Sequence, residues 1–160
     1  MVSTDWIGAA CAAGDDLSKL KIALQRVDFL AATTGAVASK ELFQVTGLVK
    51  ATVVPICVTT SITSGAGATI EYGVDGDTNL FLGAITAVNW DDTEIGINTT
   101  PLAYFVTSDT QPNWAILNGV DIGYEVKVDT LTAGRVDWYC LWYPISEGAL
   151  VEPSGQNAAL

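Results

Sequence analysis

Three groups of residues in this chain have types and spacings that could support chemistry, and each is incomplete. Asp75-Gly76-Asp77-Thr78-Asn79 sets oxygen ligands at alternate positions, as the opening of a calcium loop does. An EF-hand needs glycine where Leu80 stands and a bidentate acid where Thr86 stands, so the segment reads as a solvated hairpin turn. Asp91, Asp92 and Glu94 could supply the acid and base of glycoside hydrolysis, although acids so close together in a loop usually form a hydrated surface. Trp90 and Trp114 lie near turns, where indole faces can stack on sugar rings, so both are candidate glycan contacts. Burial or interface anchoring is the competing role for these two.

The chain contains no histidine. Ser-His-Asp and Cys-His nucleophilic sites are therefore excluded, and so are most zinc and copper sites. Gly65-Ala66-Gly67 lacks the Lys-Ser/Thr that completes a phosphate loop. Asn98-Thr99-Thr100 matches the glycosylation triplet, which has meaning only in a secreted chain. Cys11, Cys57 and Cys140 are odd in number, widely spaced and without a CxxC pair, which points to reduced thiols. Cys57 and Cys140 have apolar or aromatic neighbours and read as small core residues. The expectation is a chain with no catalytic set, no resident metal and no cofactor.

Charge placement narrows the partners. The net charge is −11, yet residues 1–50 balance five bases against five acids, and residues 51–160 hold Lys127 and Arg135 against thirteen carboxylates. An acidic body repels phosphate backbones, so nucleic acid is not an expected partner. No apolar run approaches the ~18 residues of a membrane span. The N-terminus has neither a basic n-region nor an apolar core, so a signal peptide is not expected and maturation in the cytosol is.

The elements that would position these residues are strands. Tyr124-Val126-Val128 and Val136-Trp138-Cys140-Trp142 alternate at period two on either side of a polar turn closed by Ala133-Gly134. In the second strand the opposite set, Asp137, Tyr139, Leu141 and Tyr143, is also largely aromatic or apolar, so both faces need cover. Alternation alone does not say which face is core and which meets a neighbour. Tyr139, Leu141 and Tyr143 are the interface candidates, with Trp6 and Ile7 as N-terminal anchors. Glu41 to Ile62 is a long β-type segment interrupted by Gly47 and by Pro55, which marks an edge or bulge. Thr69–Val74, Leu80–Trp90, Ala103–Thr107 and Ala115–Leu117 supply further strands. Leu17, Leu20, Leu24, Val27 and Ala31 are spaced for an amphipathic helix over residues 17–31, while Leu20, Ile22 and Leu24 also alternate as a strand would. The pattern predicts an all-β antiparallel β-sandwich, jelly-roll-like, over residues 20–146. An extended N-terminal arm (1–19) precedes it, and a loose C-terminal tail (147–160) follows.

Four segments in order carry a resemblance: AVASKELFQVTG (36–47), ATIEYG (68–73), WAILNGVDI (114–122) and GRVDWYCLWYPISEG (134–148). Asn118-Gly119-Val120-Asp121-Ile122 and the aromatic strand closing on Pro144-Ile145-Ser146 resemble a group of small β-rich virion proteins encoded near the capsid genes of tailed bacteriophages. The resemblance implies a strand over Lys21–Phe29 in place of the helix. It also implies a non-enzymatic structural protein, made in the host cytoplasm and located in the virion. Its role there would be a homotrimeric capsid decoration or cement protein bound to the major capsid protein or to other virion proteins. The alternative is a head-fibre, neck or tail component that touches host glycan through Trp90 or Trp114.

Overall fold

The computed structural model describes residues 17–57, 61–65, 67–87 and 114–155. Along β1 (Lys21–Asp28) burial alternates, with Ala23, Gln25 and Val27 inward and Ile22, Leu24 and Arg26 outward. Within residues 17–31 there is a strand, Lys21–Asp28, preceded by one 3-10 turn, Leu17–Lys19, and the helical spacing does not select a face. Pairing with a long partner strand overrides a weak periodic preference here.

Ten more strands follow: β2 (Ala38–Thr46), β3 (Leu48–Cys57), β4 (Thr63–Ser64), β5 (Thr69–Val74), β6 (Asp77–Thr86), β7 (Ala115–Asn118), β8 (Ile122–Lys127), β9 (Leu131–Ala133), β10 (Arg135–Pro144) and β11 (Leu150–Pro153). They form a four-stranded sheet in the order β1-β10-β3-β7 and a five-stranded sheet in the order β11-β2-β8-β5-β6. β4 and β9 make a small third sheet. Every pairing is antiparallel. The two main sheets face each other across one core, the β-sandwich that the alternation predicts. The jelly-roll-like winding depends on the path from β6 to β7. That path lies outside the described residues, as do the N-terminal arm up to residue 16 and the strand expected at Ala103–Thr107.

Trp138 of β10 lies at the centre of the core. Its ring stacks on Tyr124 of the opposite sheet (5.6 Å between centroids, 13°) and meets Tyr72 edge-on (5.4 Å, 73°). Phe29 packs edge-on against Tyr124, whose hydroxyl donates to the Thr34 carbonyl at 2.7 Å. Burial pushes the Tyr124 hydroxyl and the Cys140 thiol well above their ordinary pKa, so both stay neutral. Cys140 is thus a packing residue, as its neighbours in the sequence suggested.

Two expected features take a different form. The segment Glu41–Ile62 is two strands in different sheets: Gly47, at φ +71°, turns the chain from β2 into β3. Likewise β8 and β10 do not form a hairpin, since β8 belongs to the five-stranded sheet and β10 to the four-stranded one. Between them the chain passes through β9 and then Gly134, whose φ is +124° and whose missing Cβ would sit 2.8 Å from Ile62 Cα. Pro55 lies in β3 beyond Ala51, the last residue paired with β7, where β3 has only β10 beside it among the described residues. A missing donor costs nothing on that open side.

The tail expected to be loose instead carries β11. Leu150–Pro153 pairs with Phe43–Thr46 of β2, and Ala149 and Val151 are buried. Ser154 continues the attachment, donating from its backbone N–H to Leu42 O (3.0 Å) and from Oγ to Glu41 O (3.0 Å). Gly155 N–H then reaches Gln25 Oε1 of β1 at 3.2 Å, linking the edges of the two sheets.

Val128 is the one non-glycine residue with positive φ (+73°) among the described residues. Asp129 N–H donates to Lys127 O at 2.9 Å across it, a tight three-residue turn that strains a β-branched side chain. Val128→Gly is expected to raise the unfolding free energy by about 1 kcal/mol, the strain released less the entropy glycine adds to the unfolded chain. Urea denaturation measures it, and an unchanged or lower midpoint contradicts the strain. Ending the chain at Ser146 removes β11 and is expected to lower the thermal midpoint and to promote aggregation along the bared β2 edge.

Candidate interaction face of the four-stranded sheet

The strand registers fix which side chains leave the sandwich. On the outer face of the four-stranded sheet, Asp137 lies opposite Ile56, Tyr139 opposite Val54, Leu141 opposite Thr52, and Tyr143 opposite Lys50. On one flank β1 adds Ile22, Leu24 and Arg26 to these rows, and on the other β7 adds Ile116 opposite Lys50. Trp138, Cys140 and Trp142 point the other way, into the core between the sheets.

Tyr139, Leu141 and Tyr143 are thus brought onto one face, as alternation requires. Leu141 is 0% exposed within a single chain, and with Val54 and Ile56 it forms a second, smaller hydrophobic cluster against Leu20, Trp114 and Tyr139. Tyr143 is also buried, and it meets Trp114 at 5.6 Å and 42°. The middle of this face is therefore closed in one copy. The apolar surface still open lies at its margins: Ile22 (48% exposed) and Leu24 (44%) on β1, and Ile116 (69%) on β7.

Polar contacts hold the same face in register. Arg26 grips Asp137 in a bidentate pair, Nε to Oδ1 and Nη2 to Oδ2, both 2.6 Å. The hydrogen bond and charge of Asp137 raise the Arg26 pKa above its already high value, so the guanidinium stays charged. Lys50 Nζ sits 4.9 Å from the Trp114 ring centroid and 5.7 Å from that of Tyr143. On the opposite side of the same sheet, Lys21 Nζ lies 4.8 Å from the Trp142 ring centroid.

The outer face of the five-stranded sheet is acidic. Glu71, almost fully buried, accepts from Lys127 Nζ at 2.6 Å and from Thr78 Oγ1 at 2.5 Å, and Lys127 also reaches Glu125 at 3.4 Å. Burial pushes the Glu71 carboxyl up, but its hydrogen bonds to Lys127 and Thr78 and the lysine charge outweigh this and hold it below its ordinary value. Glu41 on β2 shows the opposite balance. Burial and then the nearby Asp121 raise its pKa, while Asp121 Oδ1 is itself held by Val45 N–H at 2.8 Å. Strand register decides which cations and acids stand beside Glu71 and Glu41.

Of the other residues with chemical potential, Asp75 and Asp77 flank Gly76 at the exposed β5–β6 turn, and Gly76 takes φ +83°. No group of three or more potential metal ligands converges among the described residues. Trp6, Ile7, Trp90, Asp91, Asp92, Glu94 and Cys11 lie outside the described residues. No family model, curated protein or solved structure matches the chain.

Buried Glu71 and partly buried Glu41 give opposed pH signatures. Glu71 has a lowered folded pKa, so its contribution is present above the ordinary carboxylate range and is lost as pH falls through the lowered value. Glu71→Gln is therefore expected to destabilise at neutral pH, with the deficit vanishing in acid. Glu41 has a raised folded pKa, so stability is lost as pH rises from 4.5 through the raised value. Glu41→Gln is expected to stabilise at neutral pH and to match the parent at pH 4 or below, about half a unit under the ordinary carboxylate value. Denaturation midpoints across pH test both signs. Leu141→Ala is expected to cost about 2–5 kcal/mol in a single copy, because its side chain is already enclosed.

Proposed function

We propose that this chain is a structural protein of a tailed-bacteriophage virion, a decoration protein that reinforces the head through contacts with the major capsid protein. The observation that carries the reading is the separation of charge between the two sheets. Strands of the four-stranded sheet hold four bases (Lys21, Arg26, Lys50, Arg135) and two acids (Asp28, Asp137). Strands of the five-stranded sheet hold two bases (Lys40, Lys127) and five acids (Glu41, Glu71, Asp77, Glu125, Glu152). A chain with one apolar, mildly basic face and an acidic remainder suits a molecule that docks by one side and keeps the other in solvent. The segments that carry the resemblance coincide with β2, β5, β7 with the start of β8, and β10, which are framework strands of the sandwich.

The glycan-binding alternative rests on Trp114, since Trp90 lies outside the described residues. The Trp114 ring already packs against Tyr143 and the Lys50 ammonium, which leaves less of its face for a sugar. The decoration reading is accordingly preferred.

Purified chain is expected to co-sediment with expanded, undecorated heads and to leave unexpanded precursors in the supernatant. Ile116→Asp should weaken that binding by about tenfold or more, the loss of one apolar anchor. Failure to pellet with any head form would reject the proposal, and a glycan-array signal abolished by Trp114→Ala would replace it with the alternative.

A further inference from the structure

The four outer strands of the two sheets differ in how they are protected. On the five-stranded sheet, β6 breaks register with β5 twice, between Ile70 and Tyr72 and between Tyr72 and Val74. β11 is four residues long and ends in Pro153. On the four-stranded sheet, β7 is also four residues long. Bulges, shortness and proline are the ordinary means of blunting an edge against strand addition. β1 has none of them. It is eight residues long, pairs with β10 in unbroken register, and has no other neighbour among the described residues.

Backbone parity shows what that edge offers. Phe29 N–H donates to Gly134 O at 2.9 Å, just past the Asp28–Arg135 pair. Hydrogen-bonded pairs recur at every second residue of an antiparallel ladder, so Val27, Gln25 and Ala23 face β10 while Ile22, Leu24 and Arg26 turn their N–H and C=O outward. The Arg26 carbonyl already accepts from Gln25 Nε2 at 2.8 Å. The open ladder is therefore centred on Ile22 and Leu24, the residues whose apolar side chains also stand out from the outer face.

From these features we infer that β1 pairs antiparallel with β1 of a second copy of this chain, about a twofold axis at Ala23. In this register Ile22 of each copy faces Leu24 of the other. Both pairs exchange N–H···O=C bonds and cover each other's exposed side chains. Lys21 lies opposite Gln25 of the second copy, so no like charges are set face to face. A register one step further on would place Ile22 against Arg26, whose carbonyl is engaged and whose guanidinium is held by Asp137.

Charge does not oppose this occupant. Two molecules each at −11 repel overall, but β1 holds two bases (Lys21, Arg26) and one acid (Asp28), so a seam between two β1 strands brings no acidic surplus together. Pairing about a twofold axis consumes both long edges and closes, so the assembly does not grow into a filament. Its product is a continuous sheet running β7-β3-β10-β1 through the axis and out again. This association is independent of the virion reading: a two-copy protein that binds no head would retain it. It differs from the threefold association that the resemblance implies.

The test is sedimentation equilibrium of the full chain over a concentration series. The expected result is convergence on the mass of two chains. Leu24→Pro removes only an outward N–H and should yield single chains whose circular dichroism and melting cooperativity match the parent. Leu24→Lys should do the same through charge and serves as the control if the proline variant does not fold. Ile116→Lys, on the opposite margin, should leave the two-chain mass unchanged. A parent that stays a single chain throughout, a three-chain particle, or any assembly that survives Leu24→Lys overturns the inference.

Discussion

Trp138, stacked on Tyr124 and edge-on to Tyr72, makes the contact on which the rest of the structure depends. It is a point where the four-stranded sheet meets the five-stranded one, and its strand is buried on both faces. β10 is paired with β1 on one side and β3 on the other, packs Val136, Trp138, Cys140 and Trp142 into the main core, and packs Leu141 into the smaller cluster outside it. A strand buried on both faces in an antiparallel sheet is uncommon, because one face usually meets water. The sequence displays the consequence openly, as aromatic and aliphatic residues at consecutive positions from Trp138 to Tyr143.

Much of the architecture was therefore legible before any coordinates. Thr69–Val74 was delimited by its own pattern and by the turn at Asp75-Gly76-Asp77, and the alternation of Val136 to Trp142 separated two faces of one strand without saying which is core. Sheet membership was not legible. The strands flanking Gly47, and those flanking Ala133-Gly134, look like hairpin arms in one dimension but separate into different sheets, because a positive-φ glycine turns the chain equally well toward either partner. β11 was missed for another reason. Its single inward position, Val151, is too little for periodicity to register, and its stability comes from covering an edge the sequence does not show to be open.

The interaction face illustrates the limit of alternation. Tyr139, Leu141 and Tyr143 share a face as expected, yet Leu141 is enclosed within one chain, and the exposed apolar residues are Ile22, Leu24 and Ile116 at its borders. Parity gives the side on which a residue stands, whereas the depth of cover depends on what packs across it. The charged residues follow the same logic. Asp137 on an apolar strand is tolerated because cross-strand register supplies Arg26, and Glu71 because it supplies Lys127.

The clasp between Gly155 and Gln25 has a kinetic implication. β1, the first strand among the described residues, finds its strand partner there in β10, with Arg26 and Asp137 separated by 111 positions, and the link to Gly155 spans 130. Closing such long loops is entropically expensive and slows folding. β1 has to wait for this partner until residues 135–144 have been synthesised. During that interval Ile22 and Leu24 are available to any passing strand, so translation rate and chaperone occupancy govern how much of this protein reaches its sandwich.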